Sequence, residues 1–318
     1  MKVAQSWDDG VVDDLHLTEV LRRYGATATF NLNAGLHQPQ RAFSWRYGDK
    51  EVWRLGWDEL AAVYAGFEIA NHSLTHPNLP DLSGVDLARE VGDSRRLLQD
   101  WFQQPVRGFC YPFGTFNPAV KEAIRATGHL YARTVAEYDW VFPPGDPLEF
   151  AVSCRFADPA FWNRYEQVKA SNGVFLFWGH SYELLDDAMW ADLEHKIAGI
   201  SADPAAEWVN LESLFAACLA LLLAVLGPLP FGLFLQLITQ IRRQPFLRFR
   251  HCPALTPGVV GDLIAVDAAH TEITRFRVAE IPAAHGGGRG HGEMLGQVNA
   301  RPGFRIQQLP EQAFFGVI

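Results

Sequence analysis

Between residues 3 and 211, short apolar runs alternate with segments of helical periodicity. That alternation restricts the chain to an α/β fold built on a parallel sheet. The strand-like runs are Val3–Trp7, Ala28–Leu32, Phe67–Ala70, Gly108–Tyr111, Leu130–Ala132, Val174–Trp178 and Trp208–Leu211. The helical segments are Val12–Tyr24, Trp57–Ala65, Val85–Phe102, Pro118–Thr127, Pro159–Ala170 and Asp187–Ile200. Gly25, Gly66 and Gly128 close three of these segments, as glycine does just past a helix end. About seven β units suit a closed barrel as well as an open sheet, and in both the chemistry sits at the C-terminal ends of the strands.

The pattern stops near residue 215. All ten Trp lie between Trp7 and Trp208, all eight Tyr between Tyr24 and Tyr182, and the last Lys is Lys196. From Ala216 onward there are nine Arg against six acidic residues, a net of +3, which leaves −12 of the total −9 on residues 1–215. The expected organisation is therefore a barrel over residues 1–214 and a C-terminal region of uncertain fold over 215–318. That region opens with an apolar stretch, Phe215 to Ile241, cut by Gly227-Pro228-Leu229-Pro230. A kinked membrane segment, a buried helix pair and a translated frameshift all fit this stretch. His285 to Gly292 is a His/Gly tract of linker character.

An acidic chain makes a poor general partner for nucleic acid. The four cysteines form no C-x-x-C pair, which points away from a disulfide framework and from a cysteine zinc site. Residues Met1 to Asp8 lack the apolar run of a signal peptide, so the expected location is cytoplasmic, with membrane association through 215–241 as the alternative. Nothing in the composition indicates an oligomeric state.

The polar residues just past the strand ends make a coherent set. Asp8 and Asp9 follow the first strand, His72 and His76 the third, Cys110 and Tyr111 end the fourth, and His180 follows the sixth. His72 and His76 stand at i and i+4, so one helical turn would put both imidazoles on one face. Asp9 would complete three protein ligands with one open position, the arrangement of a catalytic zinc site. Two adjacent carboxylates rarely aim at one atom, so Asp8 is left as a general base, and His180 is a candidate general acid. Taken singly, Asp8-Asp9-Gly10 also has the composition of a strand-ending turn, and His180 that of a structural hydrogen-bonder.

These residues resemble the polysaccharide deacetylases of the NodB homology group, carbohydrate esterase family 4. Ser6-Trp7-Asp8-Asp9-Gly10 is similar to that family's T-F-D-D-G motif, and His72-Ser73-Leu74-Thr75-His76 matches H-[ST]-x-x-H. Arg107 to Gly114 resembles the R-x-P-Y-G segment, and Trp178 to Glu183 the final histidine motif. The resemblance runs from about residue 2 to about residue 214. It implies a distorted (β/α)₇ barrel that hydrolyses N-acyl amides, typically N-acetyl on an amino sugar or oligosaccharide. A divalent metal, zinc before cobalt, nickel or manganese, would sit on Asp9, His72 and His76. Asp8 would be the base, His180 the acid, and the backbone N–H of Phe113 an oxyanion donor. A non-sugar or cyclic amide is an alternative substrate, and a decayed, non-catalytic binder of metal or carbohydrate an alternative function.

The sequence departs from the family pattern at Cys110, where many members carry an arginine that orients the base; Arg107 is the candidate replacement. Asp139-Trp140 has the composition of a loop turn, with similarity to the family's Asp-Trp motif as the alternative reading. Trp7, Tyr111, Phe113, Trp178 and Tyr182 are candidates for stacking on sugar faces.

Overall fold

The computed structural model describes residues 1–137, 142–215, 262–266 and 273–277. The chain divides into two compact units, Met1–Leu226 and Gly227–Ile318. Residues 139–140 and nearly all of the apolar stretch 215–241 lie outside the described residues, as does the His/Gly tract. Among the described residues, no helix is long and apolar enough to cross a membrane.

The first unit is an α/β barrel. Its strands are β1 (Lys2–Asp8), β2 (Thr29–Leu32), β3 (Ala42–Tyr47), β4 (Lys50–Arg54), β5 (Glu68–Asn71), β6 (Gly108–Cys110), β7 (Tyr131–Glu137), β8 (Phe150–Val152), β9 (Cys154–Arg155), β10 (Val174–Gly179) and β11 (Glu207–Trp208). Nine of them form one parallel sheet, eight in the order β8-β7-β6-β5-β2-β1-β10-β9 and β11 paired with β1. The edge strands β8 and β9 are separated in sequence by Ser153 alone. Ser153 N donates to Leu176 O at 2.7 Å, and Leu176 N donates back to Ser153 Oγ at 3.0 Å. The two edges thus meet at one residue, and the sheet is nearly closed.

The helices α1 (Asp14–Arg23), α2 (Trp57–Val63), α3 (Gly84–Phe102), α4 (Pro118–Ala126), α5 (Phe161–Ala170) and α6 (Asp187–Ala202) alternate with the strands. Each turns an apolar stripe to the sheet, as Leu87, Val91 and Leu98 do on α3. Strand side chains alternate between two layers. Phe175 and Phe177 pack with Phe161 and Ile197 of the helices, whereas Ala4 and Leu176 pack with Tyr131, Phe150 and Val152. Both faces being covered, β2 and β5 are buried at every position, their polar residues Thr29, Asn31, Glu68 and Asn71 included.

Two departures from the sequence pattern matter. The expected strand Trp208–Leu211 shrinks to β11, which pairs only with Lys2 and Val3, and residues 211–215 are helical. The first amides of that helix donate to Thr29 Oγ1 and Glu68 Oε2 instead of to a strand neighbour. The second departure is the antiparallel β3–β4 hairpin between β2 and α2. Its largely exposed β3 carries no alternation to betray it. Its inner strand grips the loop after β1: Val12 N donates to Trp53 O at 2.8 Å and Leu55 N to Gly10 O at 3.2 Å. The second unit contributes β12 (Asp262–Val266) and β13 (Ile273–Arg277), an antiparallel pair.

Candidate active site

Asp8 is the last residue of β1, and the chain turns at once through two left-handed residues, Asp9 (φ 84°) and Gly10 (φ 71°). This turn sends the two carboxylates in different directions. Gly10 has no alternative: a Cβ there would lie 2.7 Å from His37 Cε1.

Asp8 points into the barrel. Arg133 Nη2 lies 2.5 Å from each of its oxygens, and Asn31 Nδ2 donates to it at 2.7 Å. Burial pushes this carboxyl up, but the charge of Arg133, with His72 and His180 behind it, overcomes burial and holds it at about 2. Asp9 faces the histidines. Arg54 from β4 donates to its backbone carbonyl and brings Nη2 to 3.6 Å from its carboxylate.

His72 leaves the end of β5 with Nδ1 2.9 Å from Cys110 O, which fixes that nitrogen as the donor and leaves Nε2 as an acceptor. Burial lowers its pKa to about 4 and lowers that of His76 as well, so both rings are neutral near pH 7. The pair is not on a helical turn, contrary to expectation. Ser73 (φ 66°) and His76 (φ 60°) are left-handed, and the segment is a tight loop. Ser73 Oγ accepts from His76 N, and the Glu90 carboxylate on α3 accepts from Leu74 N and Thr75 N. These side-chain acceptors satisfy amides that a helix would bond internally. The rings still meet, with centroids 4.7 Å apart at 76°.

The ligand-type atoms of Asp9, His72 and His76 lie within 4.8 Å of one another, as do those of Asp8, His72 and Cys110. Chemistry separates the two sets. The Asp8 charge is already neutralised by Arg133. Burial raises the Cys110 thiol well above its usual pKa, whereas a metal requires the thiolate. One carboxylate and two neutral imidazoles form a donor set suited to a divalent metal, and Asp9, His72 and His76 could hold one.

His180 follows β10. Its Nε2 is 3.8 Å from an oxygen of Asp8 and 3.8 Å from one of Asp9, while Nδ1 is 3.2 Å from Glu183 Oε1. Burial disfavours the imidazolium, but the Glu183 hydrogen bond and the two aspartates outweigh it and raise the pKa above the ordinary value. Glu183 is itself held by Arg155 at the end of β9.

Phe113 is left-handed (φ 58°) and exposed, with its ring 4.6 Å from that of His76. Trp7 and Tyr111 are fully buried, and the Tyr111 hydroxyl donates to Leu148 O, so neither offers a sugar-stacking face. Tyr182 does flank the site, 4.9 Å from the His180 ring.

Arg107 is not brought to Asp8. It precedes β6 and pairs with Glu212. Lying three residues before Cys110, it falls on the opposite face and at the other end of the strand. The guanidinium beside Asp8 is that of Arg133, and Arg133 is the register partner of Cys110 across β6 and β7. Sequence reasoning missed it because the fifth strand was expected to end at Ala132, whereas β7 runs to Glu137. Arg54 and Arg155 were missed for want of a motif of their own, and Glu183, although inside the final histidine motif, carried no assigned role.

Residues 1–132 match the family model described as Polysaccharide deacetylase. No curated protein matches the chain. Among solved structures, a proposed polysaccharide deacetylase from Mycobacterium smegmatis is 13% identical with a TM-score of 0.51, over 70% of this chain and 91% of that one. A family 4 carbohydrate esterase from Streptomyces lividans, in complex with acetate, is 17% identical with a TM-score of 0.42, over 64% and 90%. The Streptococcus pyogenes deacetylase PplD, also in complex with acetate, is 22% identical with a TM-score of 0.36, over 42% of this chain and 55% of that one. The chain thus spans little more than half the length of the streptococcal enzyme. The NodB-type resemblance is shown over residues 1–132, and the mycobacterial protein shares the fold.

Proposed function

We propose that this chain, whose residues 1–132 match the polysaccharide deacetylase family, is a metal-dependent hydrolase of N-acyl amide bonds. Its preferred substrate class is an N-acetyl group on an amino sugar or oligosaccharide, and its preferred metal is zinc. The observation that carries this reading is the division of labour between neighbouring carboxylates. Asp8 is bound to a buried guanidinium, Asp9 faces two neutral imidazoles, and a third histidine stands 3.8 Å from each aspartate.

Hydrolysis adds water to the amide carbonyl carbon, breaks the C–N bond and delivers one proton to the departing nitrogen. Asp8 is ionised throughout the working pH range and accepts a proton of the attacking water. A carboxylate held at about 2 is a weak base, and a divalent metal on Asp9, His72 and His76 would supply the missing Lewis acidity. His180, its Nδ1 engaged by Glu183, presents Nε2 to the space beside both aspartates and gives its proton to the amine. Phe113 and Tyr182 flank that space and offer faces for a sugar ring. The cysteine at position 110 does not argue for a decayed site, because Arg133 supplies a guanidinium beside Asp8.

The test combines elemental analysis with acetate release from N-acetylglucosamine and its short oligomers, using the full chain. The wild type should hold about one divalent metal and release acetate. His72→Ala/His76→Ala should lose both properties, and Asp8→Asn should keep the metal but lose turnover. A wild type that takes up no metal after incubation with zinc defeats the reading.

A further inference from the structure

Two arms converge on the site. On the first, Arg133 grips Asp8. On the second, Arg155 holds Glu183, which in turn bonds His180. Both guanidiniums lie over one and the same indole. The guanidinium carbon of Arg133 is 4.9 Å from the ring centroid of Trp178, and that of Arg155 is 5.5 Å from it. The indole also stands 5.5 Å from the His180 ring at 70°. Asp8, Arg133, Trp178, Arg155, Glu183 and His180 therefore close a ring of contacts, completed by the 3.8 Å approach of His180 to Asp8.

Trp178 borders the apolar layer of Leu176, Phe150 and Val152, but packing alone does not call for an indole. Its Nε1 is buried without a hydrogen-bond partner among the described residues, an arrangement that carries a desolvation cost. The residue is therefore present for its face rather than its donor, and indole is the aromatic face that attracts a guanidinium most strongly. Register holds it in place, since Trp178 lies opposite Ser6 of β1 and Arg155 of β9.

We propose that Trp178 is a positioning residue that sets the spacing between the proton-accepting arm of Asp8 and Arg133 and the proton-donating arm of His180, Glu183 and Arg155. The inference rests on the hydrolase reading for its catalytic consequence, but its geometry stands independently. A leucine at 178 fills space without offering a face to either arginine, whereas a phenylalanine keeps a face.

Full-length Trp178→Leu and Trp178→Phe are compared with the wild type by acetate release and metal content. The leucine variant should lose at least about tenfold in kcat with KM changed less than about twofold and metal content unchanged, and the phenylalanine variant should recover kcat to within about threefold of wild type. A leucine variant of near wild-type kcat, or a phenylalanine variant no better than it, overturns the inference. Where the wild type itself releases no acetate, the hydrolase reading fails, and crystal structures of the two variants decide the positioning role. The Arg133 and Arg155 guanidiniums should leave Asp8 and Glu183 in the leucine variant and stay in the phenylalanine variant. Guanidiniums in place in both variants overturn it.

Discussion

Arg133 Nη2 lies 2.5 Å from both carboxylate oxygens of Asp8, a residue 125 positions earlier in the chain. Their strands are not neighbours: β7 and β1 are separated by β6, β5 and β2 in the sheet, so the pair crosses the barrel interior. Both partners are buried. Removing one leaves the other charge uncompensated, and such losses cost about 3–5 kcal/mol. Arg133→Met should therefore lower the urea midpoint by that equivalent and abolish turnover. Arg107→Ala breaks a partly exposed pair with Glu212 and should cost no more than about 1 kcal/mol. Equal effects of the two substitutions would contradict the assignment.

Cys110 tests the choice between the two ligand sets. Its thiol is held protonated by burial and touches Arg133. Cys110→Ala should keep its full metal content, while His76→Ala, which leaves the Asp8, His72 and Cys110 set intact, should lose it. Metal loss in the cysteine variant would move the site to Asp8, His72 and Cys110.

Gly10 holds the divergence of the two aspartates. Alanine there would meet both a left-handed backbone and a 2.7 Å approach to His37. The conformational part costs about 1–2 kcal/mol and the overlap about 1–3 kcal/mol more. Gly10→Ala should show a drop of that order in chemical denaturation together with weakened metal uptake. A variant as stable as wild type would mean that the turn is not constrained as described.

Glu68 gives a pH signature away from the candidate metal ligands. Burial raises its carboxyl from 4.5 to about 7, against the opposing pull of the Glu212 amide, Tyr131 and Thr29. A carboxyl raised on folding favours the folded state below the unfolded pKa, and that contribution is lost as pH climbs through the folded value. Stability should thus fall between about pH 4.5 and 7, by on the order of 3 kcal/mol if the whole shift is realised. Denaturation midpoints across that range should slope downward in the wild type and less steeply in Glu68→Gln. An identical slope in both assigns the effect to another group, for which Asp14, also raised to about 7 by burial, is the next to test.

The alternation of β and α segments, the Asp8-Asp9-Gly10 turn, the spacing of His72 and His76 and the placement of His180 after β10 were all legible in the sequence. Each depends on local periodicity or on residues a few positions apart, which a linear reading can see. The β3–β4 hairpin escaped because most of β3 is exposed and carries no period. The histidine loop escaped because Glu90 and Ser73 side chains take the hydrogen bonds of a helical turn.

The sequence by itself therefore determined the fold class and which residue types line the barrel mouth, since apolar period and strand-end polarity are properties of short segments. Only the tertiary structure decided that Arg133 rather than Arg107 meets Asp8, that Ser153 joins the two sheet edges, and that Arg155 and Trp178 gather around Glu183 and His180. The physical reason is register. A strand side chain alternates between barrel interior and helix layer, and which residues meet across the barrel depends on pairings between strands far apart in the chain.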